Sequence, residues 1–195
     1  HVFVNGDPYS INSEVLDLRG SGISIEYYED LCRALPDCDI LWEVPFQGQF
    51  YPENTQSLSV ETITTDDIDI LKYFPDLTSI DAAGCTDYDV LMELRNQYTE
   101  TELLYNVNIA GQDYPQDTTK ISITSLSDLD IRLIPYLPHL ETVEASGCDL
   151  SQLRMLQETY PNIHAAYSVP LGSESYDRST TTLTLEHVSL AELAD

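Results

Sequence analysis

Apolar and polar positions alternate in short bursts along this chain, and the bursts recur at regular intervals. Six places carry two apolar side chains with one residue between them: Leu16/Leu18, Leu58/Val60, Ile80/Ala82, Ile121/Ile123, Val143/Ala145 and Leu183/Leu185. Their starts lie 42, 22, 41, 22 and 40 residues apart. Alternation with period two marks a strand with one buried face, so each pair predicts a short strand. The intervals divide the chain into long modules near 16–57, 80–120 and 143–182 and short modules near 58–79, 121–142 and 183–195. A fixed internal period predicts a stacked array in which each unit covers the apolar face of its neighbour. The expectation is a single repeat domain over 1–195.

Helical patterns fall between the strands, near 25–35, 66–74, 87–98, 128–137 and 151–160. Leu35-Pro36, Phe74-Pro75, Leu137-Pro138 and Tyr160-Pro161 close four of them. Proline cannot continue a helix and pushes the preceding residue toward extended backbone. Ser24, Thr65, Thr86, Ser127 and Ser151 are the expected N-caps. Asp66, Asp67, Asp87 and Asp128 suit first turns, where the helix dipole favours negative charge. The long modules carry a further apolar segment at Ile40–Phe46, Leu103–Ile109 and Ala165–Leu171, followed by a turn and then Tyr51, Tyr114 or Tyr176. This predicts an extra strand and a hairpin excursion. Val4, Gly6 and Tyr9 align with Phe46, Gly48 and Tyr51 at a constant offset of 42, so the excursion also opens the chain. His1 then falls inside a strand, and Leu190–Asp195 starts a helix with no strand after it. The expectation is a fragment of a longer array, or an array with unusually simple caps.

Two stretches share one phrase: Leu77-x-x-Ile80-x-Ala82-x-x-Cys85 and Leu140-x-x-Val143-x-Ala145-x-x-Cys148, 63 residues apart. With the preceding prolines, they resemble the leucine-rich repeat, in the class that carries cysteine where asparagine is commoner. Leu16–Ile23 follows the phrase less closely, and the short modules place Ile63, Leu126 and Val188 at the cysteine position. The alternating spacing and the aromatic excursions resemble secreted or surface leucine-rich-repeat proteins of gut-type Gram-positive bacteria. The resemblance implies an α/β right-handed solenoid, with a parallel sheet on its concave face and helices on its convex face. It implies protein recognition outside the cell or at its surface, and no catalysis.

Charge narrows the partners. Thirty-four acidic residues against eight basic ones give −26. Such a surface repels phosphate backbones and anionic lipid, which argues against nucleic acid and peripheral membrane docking. It suits a basic protein partner. No apolar run approaches the roughly 20 residues needed to span a bilayer, so no membrane insertion is expected within the chain. The sequence leaves the oligomeric state open.

On the concave face that the resemblance implies, the residues between the paired apolar positions form one row: Asp17, Ser59, Asp81, Ser122, Glu144 and Thr184. Carboxylates recurring every ~10 Å would make an acidic, hydroxyl-studded groove, or simply a solvated face. Trp42, Tyr105 and Tyr167 align, as do Tyr9, Tyr51, Tyr114 and Tyr176. They offer either an aromatic platform for sugar or peptide, or a ladder that packs the excursions onto the sheet. Cys85 and Cys148 suit structural burial. Cys32 and Cys38 flank a helix end, and a local disulfide between them stays open. Asp66-Asp67-x-Asp69 and Asp87-x-Asp89 lack the glycine and spacing of a calcium loop. The four histidines are scattered, and neither H-E-x-x-H, G-x-S-x-G nor a Walker-type glycine loop occurs. The expectation is a recognition module with no cofactor or metal and no reaction. The runners-up are a structural spacer or stalk of an envelope protein and glycan binding through the tyrosine-bearing excursions.

Overall fold

The computed structural model describes residues 2–4, 6–10, 14–171 and 174–177. It separates into two compact units, His1–Leu104 and Tyr105–Asp195. Leu183, Thr184, Leu185, Val188 and the helix expected from Leu190 lie outside the described residues.

In the first unit, β1 (Val2–Val4) and β2 (Asp7–Tyr9) form an antiparallel hairpin. Strand β3 (Val15–Asp17), helix α1 (Ile25–Ala34) and strand β4 (Asp39–Leu41) follow, the strands parallel with Leu16 opposite Ile40. The chain leaves that ladder at Trp42 and folds into a second hairpin, β5 (Glu43–Phe46) against β6 (Gln49–Pro52). Strands β7 (Ser57–Ser59), β8 (Ser79–Asp81) and β9 (Glu102–Leu104) then pair in parallel, linked by α2 (Thr65–Ile70) and α3 (Tyr88–Gln97).

The second unit uses the same plan. A hairpin of β10 (Asn106–Ile109) and β11 (Gln112–Pro115) precedes a parallel sheet of β12 (Lys120–Ile123), β13 (Thr142–Ala145) and β14 (His164–Ala166). Helices α4 (Asp128–Leu133) and α5 (Leu150–Thr159) connect these strands. A last hairpin pairs β15 (Ser168–Leu171) with β16 (Glu174–Asp177).

This corrects the expected architecture. Among the described residues no right-handed leucine-rich-repeat solenoid with one continuous parallel sheet is found. The described strands form seven small sheets, three parallel ones of two or three strands and four antiparallel hairpins, in a mixed α/β arrangement. The cause lies in the apolar segments at Ile40–Phe46, Leu103–Ile109 and Ala165–Leu171. Each divides in two at Trp42, Tyr105 or Tyr167. Its first half joins a parallel sheet, and its second half folds back on the residues that follow. Gln47-Gly48 (φ 48° and 76°) and Ala110-Gly111 (φ 53° and 80°) supply the positive φ values at both central positions that tight hairpins require. Such local closure costs little chain entropy, and it satisfies these strands within their own hairpin.

The apolar rungs carry the packing. Leu58 and Ile80 face each other in adjacent strands, as do Ile121 and Val143, and all four are buried. Leu91 and Leu94 of α3, and Leu153 and Leu156 of α5, are buried in the same units at the (i, i+3) spacing of one helical face. Trp42, 1% exposed, stacks on Tyr28 with ring centroids 3.8 Å apart, and Tyr73 meets both rings edge-on.

The helix starts differ partly from expectation. Ser24 and Ser127 cap as expected, but Thr64, Asp87 and Asp149 replace Thr65, Thr86 and Ser151. Thr64 wins because Asp67 lies three residues on and closes a reciprocal capping box; Ser127 and Asp130 form the same box. Asp87 and Asp149 accept from Val90 N and Ser151 N directly. Each capping box also anchors a hairpin turn. Gln47 Nε2 donates to Thr62 O at 2.7 Å beside Asp67, and Ala110 N donates to Asp130 Oδ1 at 2.8 Å. Cys32 and Cys38 are both free thiols.

Leu91 is fully buried, so Leu91→Ala is expected to cost the first unit about 2–5 kcal/mol. Trp42, the sole tryptophan, reports the loss through its emission during urea unfolding.

Candidate functional site

Strand pairing sets which polar side chains meet. In the first unit Ser59 lies opposite Asp81, and Asp81 opposite Leu104. In the second, Ser122 lies opposite Glu144, and Glu144 opposite Ala166. Asp17 lies opposite Leu41 in its own two-stranded sheet. The row expected to run Asp17, Ser59, Asp81, Ser122, Glu144, Thr184 is therefore broken into separate rungs. Leu41, Leu104 and Ala166 join these rungs, and Thr184 is outside the described residues. Asp17, Ser59, Asp81 and Ser122 are exposed and Glu144 is half-buried.

The three carboxylates differ in company. Arg19 grips Asp17 with two hydrogen bonds, Nε to Oδ1 at 2.9 Å and Nη2 to Oδ2 at 2.6 Å. Those bonds, with that from the Arg19 amide, hold the Asp17 carboxyl down at about 2. Glu144 accepts from Lys120 Nζ at 2.6 Å and from Ser122 Oγ at 2.8 Å. The same two partners, Lys120 first, lower its pKa against a small opposing effect of burial. Asp81 accepts from the Ala83 amide at 3.1 Å, and no described ion pair reaches it. One of the three row carboxylates thus keeps its charge uncompensated.

Arg19 and Lys120 were missed by pattern reasoning, yet a signal existed. Residues two apart share a strand face. Lys120 precedes Ser122 by two on β12, beside the Glu144 strand, and Arg19 sits in the turn that follows Asp17.

The aromatic residues divide by position. Trp42, Tyr105 and Tyr114 are buried. Tyr105 donates to Tyr136 O at 2.8 Å and Tyr114 to Ser122 O at 3.0 Å. They pack the excursions in place. Tyr9, Tyr51 and Tyr167 are half-buried. The Tyr176 side chain lies outside the described set.

An open hollow of about 400 Å³ sits where β12, β13 and β14 end, lined by Ser122, Thr124, Glu144, Ser146, Ala166, Tyr167 and neighbours. It gathers two row residues and one aligned tyrosine. A second hollow of about 480 Å³ lies at the strands' other ends, among Asp117, Thr119, His139 and Glu141.

Reactive groups are scarce. Cys85 is buried and its thiol lies 3.7 Å from Val60 O; Cys148 is half-buried, 4.0 Å from Ile123 O. Burial pushes both thiols up, which keeps them protonated and poorly nucleophilic at neutral pH. Among the described residues no group of three or more His, Cys, Asp or Glu could hold a metal ion. No described helix is long and apolar enough to cross a membrane.

No family model, curated protein or solved structure matches the chain.

The Asp17 carboxyl is expected to titrate near 2 by carbon-detected NMR, and Arg19→Gln should return it toward the ordinary value of about 3.9. Because its folded pKa is depressed, its contribution to stability is present above about pH 4 and fades as pH falls toward 2.

Proposed function

We propose that the chain is a non-catalytic recognition module that binds a basic protein partner through the acidic rungs of its parallel sheets. The observation that carries this reading is Asp81: exposed on a strand, beside the Ser59 rung and without a cationic partner among the described ion pairs. Asp17 and Glu144 are already paired with Arg19 and Lys120, so they contribute little attraction. A net charge of −26 adds long-range steering toward cationic surfaces. A strand held by parallel pairing on both sides is rigid, so little order has to be imposed when a partner docks. The high thiol pKa values favour recognition over chemistry. A secreted or cell-surface setting rests on the leucine-rich-repeat-like phrases at Leu77–Cys85 and Leu140–Cys148.

The test uses biolayer interferometry against a panel of lysine- and arginine-rich proteins and peptides. Retention should fall steeply as salt rises from about 50 to about 300 mM, because exposed charges are screened. Asp81→Lys should weaken the best binder about tenfold or more. Unchanged affinity in Asp81→Lys, or binding indifferent to salt, contradicts the reading.

A further inference from the structure

We propose that the hollow at the ends of β12, β13 and β14 is a subsite for one ring of a neutral saccharide. Its volume of about 400 Å³ falls within the roughly 300–1,000 Å³ of small-ligand clefts. The lining combines three features that a sugar needs together. Thr124 and Ser146 offer hydroxyls that both donate and accept, matching a ligand whose own groups do the same, and Ser122 Oγ, whose proton goes to Glu144, keeps lone pairs that accept. Tyr167 supplies an aromatic ring, which suits the C–H face of a pyranose. Ala166, opposite Glu144 across the strands, leaves room above the floor that a larger residue would fill.

The electrostatics select among ligand classes. Glu144 is the carboxylate in this lining, and Lys120 Nζ neutralises it at 2.6 Å while Ser122 Oγ occupies its other oxygen. A cation therefore gains little here, in contrast to Asp81. Anionic sugars, whether sulfated or carrying uronic acids, meet the field of a chain with a net charge of −26. A neutral polyol suffers neither penalty, and the remaining lone pairs of Glu144 can accept its hydroxyls.

The subsite stands apart from the basic-partner reading, since Asp81 belongs to the other compact unit. The test is a glycan microarray probed with the labelled chain, with each retained oligosaccharide then titrated calorimetrically. The expected result is retention of neutral oligosaccharides and not of sulfated or sialylated ones. Tyr167→Ala should lower affinity about tenfold. Ser146→Arg, at an exposed position that tolerates a large side chain, should block the hollow and abolish retention while leaving the circular dichroism melt unchanged. Asp81→Lys should leave saccharide affinity intact. The proposal is overturned if no neutral saccharide is retained, if Ser146→Arg binds as well as the parent chain, or if lysine-rich peptide displaces the sugar from this hollow.

Discussion

The structure depends on one limit: a strand of three or four residues cannot bury enough to hold itself. Ordering three residues costs about 3–6 kcal/mol of backbone entropy, while burying a single Leu or Ile returns about 1.5–3 kcal/mol. Each of β3, β7 and β8 has one buried side chain in its middle. Such a strand persists only when its neighbours stack like on like, Leu58 against Ile80 against Leu103, or Ile121 against Val143 against Ala165. Helix faces such as Leu91 with Leu94 and Leu153 with Leu156 then close the apolar interior of each unit.

The surface follows from the same register. Because side chains alternate, fixing the apolar rungs also fixes the polar ones on the opposite face. Ser59 beside Asp81 and Ser122 beside Glu144 are consequences of core packing. What distinguishes the two rungs is the residue two places away on the same face. Lys120 discharges Glu144, whereas Asp81 keeps its charge. Two rungs of similar sequence thereby differ in charge, one carboxylate paired with Lys120 and the other reached by no described ion pair. The hairpins contribute by position. The turns of β5–β6 and β10–β11 are tied to the capping boxes at Asp67 and Asp130, and with the Tyr114 bond to Ser122 O this holds the second of these hairpins against its unit.

The periodic apolar pairs were legible because burial of alternate residues leaves a mark in any short strand, and Leu16, Leu58, Ile80, Ile121 and Val143 are all buried. Helix positions were legible through proline stops. The cap residues slipped by one or two positions where an aspartate could compete, because Asp87 and Asp149 accept backbone N–H bonds as well as a hydroxyl does. The long-range arrangement was not legible. An apolar segment such as Leu103–Ile109 carries the same pattern whether it continues one ladder or divides between two. The deciding features are the positive φ of Ala110-Gly111 and the local pairing that follows, which depend on backbone geometry more than on hydrophobicity. Of the candidate site, the polar positions between the apolar pairs were legible from the alternation, but their separation into rungs and their neutralising partners depend on the register.

The most direct test of this account is a nuclear Overhauser map of backbone contacts across the parallel sheets. The account predicts contacts in parallel register between Leu58 and Ile80, Ile80 and Leu103, Ile121 and Val143, and Val143 and Ala165, with slow amide exchange at Val60 and Ala82, which donate across to the neighbouring strand. A register shifted by one residue, which would turn Asp81 and Glu144 inward, or fast exchange at those amides, would contradict it.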